Sequence, residues 1–370
     1  MLPLWFVCAV VAIAWSCAEP SPRGPADVET TGPETLPNEP LDTLVPAPQD
    51  VASPDVAEDV SDPADTAEPL YPKDESLRIS DLQCKGTHNS YHTTHGSGSL
   101  VPNWNFDMPS LTEQLALHGV RQIELDVHYV GDGVFDVSHV PVLDEGTTCE
   151  LFTDCLQEIK DWSDANPKHH ILFILVEPKD ALDVKKIDGH YDELDAAILS
   201  VWPVERLLRP DDVRQEHPTL REALVKDGWP TLGATRQKAM FIMLDSGAHR
   251  DGYLEGHPNL EDRVIFMRDG KGEATGAILE LNDPVGSADL INEGAQLGYL
   301  IRSDADNVED SSEKNQAKSV AALATGAHFI SSDFPADPGG GDYWFDVPFG
   351  NPSRCNPVTA PVDCTPADIE

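Results

Sequence analysis

The chain has 370 residues, enough for one large domain or two ordinary ones. Its 65 acidic residues outnumber 25 basic ones, for a net charge of −40 at pH 7. That balance works against nucleic acid as a partner, because phosphate binding needs a basic footprint, and against electrostatic attraction to anionic membranes. Such a surface would tolerate or use divalent cations, or serve solubility alone.

Residues 1–17 (MLPLWFVCAVVAIAWSC) are apolar, short for a membrane span, and read as an export signal. Ala14-Trp15-Ser16-Cys17 resembles a bacterial lipoprotein processing site, which would leave Cys17 lipidated at a new N-terminus. The expected location is outside the cytoplasm, envelope-anchored or secreted. Residues 18–70 hold eleven prolines, thirteen acids, one Arg and no aromatic residue. Such a segment buries too little apolar surface to offset its ordering entropy and reads as a disordered, extended linker. A folded domain is expected over 71–350 and a C-terminal surface tail over 351–370. Cys149 and Cys155, and likewise Cys355 and Cys364, are close enough in sequence to close short loops in an oxidising compartment. Their spacing does not suit zinc ligation. Cys84, left over inside a strand pattern, reads as a small buried hydrophobe.

From about residue 78 the chain alternates strand-like apolar runs with helical patterns. Strand signals fall at 79–84, 120–127, 135–140, 170–177, 239–244, 264–267, 299–302 and 328–331, with a further strand or loop run at 277–281. Ser110-Leu111-Thr112-Glu113 is a capping box that opens a helix over 111–118. Helical spacing recurs over 149–165, 192–201, 220–226, 287–297 and 313–325. Roughly eight strands alternating with helices predict an α/β fold, a (β/α)8 TIM-type barrel with room for distortion or incomplete closure. The alternative, a doubly wound open sheet, lacks its glycine-rich GxGxxG turn.

Chemistry-bearing residues collect at the predicted strand ends, where such barrels carry their sites. Cys84 to His92 (CKGTHNSYH) places His88 beside Asn89 just past the first strand. Alternation along Gln122 to His128 (QIELDVH) puts Glu124, Asp126 and His128 on the inward face. Two inward acids one pleat apart need a counter-charge. A hard cation such as Ca²⁺ would supply it, and an ion pair with Arg121 or Lys179 is the other solution. Phe135 to Pro141 (FDVSHVP) ends a strand at His139, which can face His88 across the barrel mouth as the second of a base–acid pair. The apolar run at 170–177 ends in Glu177, another oxygen donor, and Lys179 follows within reach of a phosphate. Arg302 is a candidate phosphate or substrate contact, or one half of a surface ion pair. Tyr91, His92, His128 and Asp333 are candidates for the pocket wall.

Taken in order, GTHNSYH, QIELDVH, FDVSHVP, TTC and LVEPKD, with ISSDFP at 330–335, resemble the calcium-dependent bacterial branch of the phosphatidylinositol-specific phospholipase C superfamily. The resemblance implies a phosphodiesterase that cleaves phosphoinositides or related glycerophospholipids. The expected products are diacylglycerol and inositol 1,2-cyclic phosphate. It implies His88 as general base, His139 as general acid, and Asn89, Glu124, Asp126 and Glu177 as calcium ligands. The metal-independent branch is expected to carry a basic residue where Asp126 stands, so the acid favours calcium. The accessory domains of eukaryotic phosphoinositide enzymes have no counterpart, and a monomer acting at a membrane surface is expected. Two alternatives stay open: a glycerophosphodiester phosphodiesterase that uses water, and a calcium-loaded surface binding protein without turnover.

Overall fold

The computed structural model describes residues 71–94, 101, 104–180, 185–337, 339, 341–350 and 352–370. The signal at 1–17 with Cys17, and the linker up to residue 70, lie outside the described residues. Ten strands follow in chain order: β1 Leu82–Thr87, β2 Val120–Gly131, β3 Val134–Val137, β4 Leu172–Pro178, β5 Ala239–Met243, β6 Ile265–Met267, β7 Ile278–Glu280, β8 Leu300–Asp304, β9 Phe329–Ser332 and β10 Ser353–Cys355. Eight of them, all but β3 and β10, run parallel and lie side by side in chain order. The ring is nearly closed: between β6 and β7 the link among described residues is the single Arg268–Ile278 bridge. Helices Phe152–Ala165, Tyr191–Val201, Leu220–Lys226, Ala288–Gln296 and Ser312–Ala324 fall where helical spacing predicted them. Ser110 and Glu113 form the expected reciprocal cap on helix Leu111–Ala116.

The wall strands read as apolar runs because both of their faces are covered. β4 is buried from Leu172 to Val176, and Ile123, Leu125 and Val127 of β2 join the main core. The even-numbered residues of β2 point the other way, which fixes Glu124 and Asp126 on the barrel interior.

Two expectations are corrected. The run at 135–140 is not a wall strand. It supplies β3, which turns back antiparallel on an overlong β2 through a tight Asp132-Gly133 turn, with both residues at positive φ. The weaker run at 277–281 takes its place in the barrel, as β7. Residues 351–370 are also no surface tail. β10 pairs antiparallel with the first half of β1, from Leu82–Cys355 to Cys84–Ser353. Ile369 is fully buried, and the Glu370 carboxylate pairs with Arg121 while accepting from the His170 backbone N–H at 3.0 Å. The loop leading there is closed by a Cys355–Cys364 disulfide, and a second disulfide joins Cys149 to Cys155.

Candidate active site

The loop after β1 is stitched onto β2. Asn89 takes a left-handed backbone (φ 46°), after which Ser90 N–H donates to the Glu124 carbonyl at 3.1 Å. The Ser90 hydroxyl in turn accepts from Glu124 N–H at 2.8 Å. The buried Gln114 amide then donates to the Ser90 carbonyl at 2.6 Å. His88 and buried Asn89 are thereby held beside Glu124.

Asp126 and Glu177 are register partners on β2 and β4, and Glu124 sits one pleat back. One oxygen from each of the three carboxylates lies within 4.8 Å of the others. Both Asp126 oxygens and the neighbouring Tyr91 hydroxyl are buried without a hydrogen-bond partner among described residues. Burial pushes the Asp126 carboxyl up, and Glu177 and Glu124 add to this against the pull of Lys179. Glu124 is raised as well, again chiefly by burial.

Three cationic side chains address this cluster. Lys179 Nζ lies 2.6 Å from Glu177 Oε1, and 3.1 Å from Asp126 Oδ2 without hydrogen-bond geometry to the latter. The Arg302 guanidinium reaches Glu124 at 3.2 Å, Glu280 at 3.1 Å and Asp304 at 2.9 Å. It is 4% exposed, so its expected surface ion pair is instead a buried network. His88 Nε2 stands 3.9 Å from Glu124, while its Nδ1 bonds Asp333 at 2.8 Å. A carboxylate only accepts, so Nδ1 carries hydrogen and Nε2 is the nitrogen turned toward Glu124. Burial works to lower the His88 pKa, but Glu124 and then Asp333 outweigh it and raise it to about 9. His88, Glu124, Glu177, Arg268, Arg302 and Asp333 line a pocket of about 380 Å³.

His139 has other company. It lies two residues beyond β3, in a turn closed by Val140–Asp144 hydrogen bonds and holding Val142 at φ 69°, a strained value for a β-branched residue. His128 reaches the preceding Ser138 carbonyl at 2.8 Å. Pairing of Tyr91 and Thr93 with Thr148 and Gly146 then brings the segment after β1 alongside. Asp144 Oδ2 lies 2.8 Å from His139 Nδ1 and 3.0 Å from His92 Nε2. The His92 Nδ1 faces the Phe106 carbonyl at 3.0 Å and must donate to it. Its Nε2 meets an acceptor-only carboxylate, so one further proton lies between them, and the His92–Asp144 pair is electrically neutral. Burial lowers the His139 pKa against the attraction of Asp144, with Lys179 and His92 lowering it further. Lys179 thus links the carboxylate cluster to His139, which does not itself line the pocket.

A sequence model of the calcium-dependent phosphoinositide phospholipase C family matches residues 130–357, more than half of the chain. The chain belongs to this family. It is therefore a phosphodiesterase that depends on Ca²⁺. Among solved structures, a calcium-dependent phosphoinositol-specific phospholipase C from Pseudomonas sp. is 16% identical with TM-score 0.54, covering 78% of this chain and 99% of that one. A Ca²⁺-dependent phosphatidylinositol-specific phospholipase C from Streptomyces antibioticus is 18% identical with TM-score 0.53, over 70% of this chain and 96% of that one. At such identities these likenesses speak for the fold. No curated protein matches the sequence significantly.

The family match begins after Glu124 and Asp126, so the fit of the carboxylate cluster to calcium stands on geometry. Ca²⁺ takes six to eight oxygens, carboxylates foremost. Three converging carboxylates with unsatisfied buried oxygens at Asp126 are such a donor set, and no thiol or imidazole among them favours a softer metal. The residues fit. Sequence reasoning missed Asp144, an unremarkable loop acid in VLDEG, and Arg268 and Glu280, which flank the weakest barrel joint.

Proposed function

We propose that this phospholipase cleaves phosphatidylinositol-type lipids to diacylglycerol and inositol 1,2-cyclic phosphate. Asn89, Glu124, Asp126 and Glu177 would hold the calcium. His88 Nε2 removes the proton of the inositol 2-hydroxyl as its oxygen attacks phosphorus. His139 Nε2 gives a proton to the departing glycerol oxygen as the P–O bond breaks. Lys179 and Arg302 offer positive charge to the phosphodiester. Bound calcium supplies charge that offsets Glu124, lowers the pKa of His88 and of the attacking hydroxyl, and stabilises the phosphoryl oxygens. An anionic phosphodiester beside His139 raises that imidazole, so binding sets both groups in their working protonation states.

One observation carries the reading: buried, unsatisfied Asp126 oxygens between two other carboxylates, with His88 on the Glu124 side and His139 on the Lys179 side. Six carboxylates among the pocket's lining residues argue against a polyphosphorylated inositol ring and for a plain or glycosylated one. The two disulfides suit an exported enzyme, which the leader-like residues 1–17 would deliver and a lipidated Cys17 would anchor. Phosphorus NMR of phosphatidylinositol turnover with calcium tests the proposal. A cyclic phosphate should appear, and His88→Ala and His139→Ala should each slow its formation about 10²–10⁴-fold. Direct release of a non-cyclic monoester, or full activity in either variant, overturns it.

A further inference from the structure

Lys179 and the proposed calcium address the same oxygens. The ammonium lies 2.6 Å from Glu177 and 3.1 Å from Asp126, whereas calcium binds oxygens at 2.3–2.6 Å. A dication and an ammonium cannot share that space without strong repulsion. Lys179 is also an imperfect occupant, since neither Asp126 oxygen gains hydrogen-bond geometry from it. Its backbone is fixed, with N–H donating to the Val127 carbonyl at 3.0 Å and Pro178 paired against Val127. Its side chain is a flexible four-carbon stem, 26% exposed. The motion open to it is therefore a swing of the ammonium alone.

On the reading that Glu124, Asp126 and Glu177 hold calcium, we infer that Lys179 is an internal competitor of that ion. Calcium binding expels the ammonium from Asp126 and Glu177 and frees it for the phosphodiester. His139 already feels the Lys179 charge, so the released ammonium stands on the side where the leaving-group proton is delivered. The consequence is an ordered site. Without calcium the lysine is tied to carboxylates and the substrate phosphate has no free ammonium to meet. With calcium, metal and phosphate tighten each other by the same factor. The lysine also sets a lower bound on the calcium concentration at which the site fills.

Calorimetric titration of CaCl₂ into the chelator-stripped full chain tests this without reference to turnover. Lys179→Met should bind calcium ten- to a hundredfold more tightly than the wild type. In the wild type, calcium should tighten binding of inositol 1,2-cyclic phosphate, and Lys179→Met should lose that coupling. Equal or weaker calcium binding in the variant overturns the lysine inference alone. Absence of calcium binding in the wild type overturns the metal reading with it. A second measurement needs no variant. Amine acetylation of Lys179, read by mass spectrometry, should rise when calcium is added to the wild type. Labelling that is unchanged or reduced refutes expulsion.

Discussion

Replacing His92 by Gln should raise the proton affinity of His139, although His92 touches no reacting atom. In the wild type Asp144 Oδ2 is shared by two imidazoles, and the proton count makes the His92–Asp144 pair neutral. Gln can still donate an amide hydrogen to Asp144 but brings no charge, so Asp144 would face His139 as an uncompensated carboxylate at 2.8 Å. Asp144 already raises His139 in the wild type, so the gain is the removal of the His92 charge, a smaller influence than burial or Lys179, and amounts to at most about 1 pH unit, or roughly 1.4 kcal/mol. The sign for catalysis follows. A raised acid stays protonated to higher pH but releases its proton less readily. The alkaline limb of the rate profile should move up by as much as about 1 unit while the plateau below it falls up to about threefold, for a Brønsted slope near one half. The assay is a pair of titrations, the His139 ring by NMR and kcat/KM from pH 5 to 9. An unmoved or lowered His139 titration in His92→Gln refutes the neutral pair.

Two further predictions concern stability. Arg302→Met strips the guanidinium from buried Glu124, while Glu280 keeps Arg268 at 2.7 Å, and should destabilise the fold by about 3–5 kcal/mol in urea unfolding; a loss under 1 kcal/mol would show that Arg302 is not holding Glu124. His328 is fully buried, accepting at Nδ1 from Ile301 N–H and donating at Nε2 to the Ser80 carbonyl, so protonation sets one donor against another. Burial lowers its pKa to about 4, below the unfolded value of about 6.5. The native state then binds fewer protons, and this contribution is complete above pH 6.5 and fades as pH falls towards 4. His328→Gln keeps a donor and an acceptor without titrating. From pH 7 to pH 4 the wild type should lose about 3 kcal/mol relative to that variant, and parallel curves would contradict the argument.

The barrel was legible because buried parallel strands announce themselves as apolar runs. β5 is apolar throughout and β4 up to Val176, and the predicted bounds of both fall within about two residues of the observed ones. The error at 135–140 has a definite cause. Periodicity of two marks a strand but not its partner or direction, and Asp132-Gly133 between two alternating runs is a hairpin signal that went unused. β7 was underrated because it is three residues long, and a strand that short has almost no pattern. The docked C-terminus was invisible for another reason: Gly, Pro and Asp suggest loop, and nothing local says that Glu370 will find Arg121 from the far end of the chain.

At the site, the sequence displayed the donors and one counter-charge, Lys179 for Asp126, but not Arg302 for Glu124. Glu124 and Asp126 could be assigned to the interior because strand alternation is local, and Glu177 because an acid ends an apolar run. Which cation balances each acid depends on distant register. Glu124 meets Arg302 across the barrel, from β2 to β8, and Asp126 meets Lys179 only because β2 and β4 align residue 126 with 177. Metal and ion pair were therefore framed as rivals for the same carboxylates. The geometry supports a division of labour instead. Arg302 is walled in by three acids and has little freedom to leave, so it faces the phosphodiester as a fixed charge. Lys179 reaches Asp126 imperfectly from a partly exposed position, which suits a cation that can be exchanged. Two positive side chains beside one carboxylate cluster thus differ in freedom because one is locked by its neighbours and the other is not.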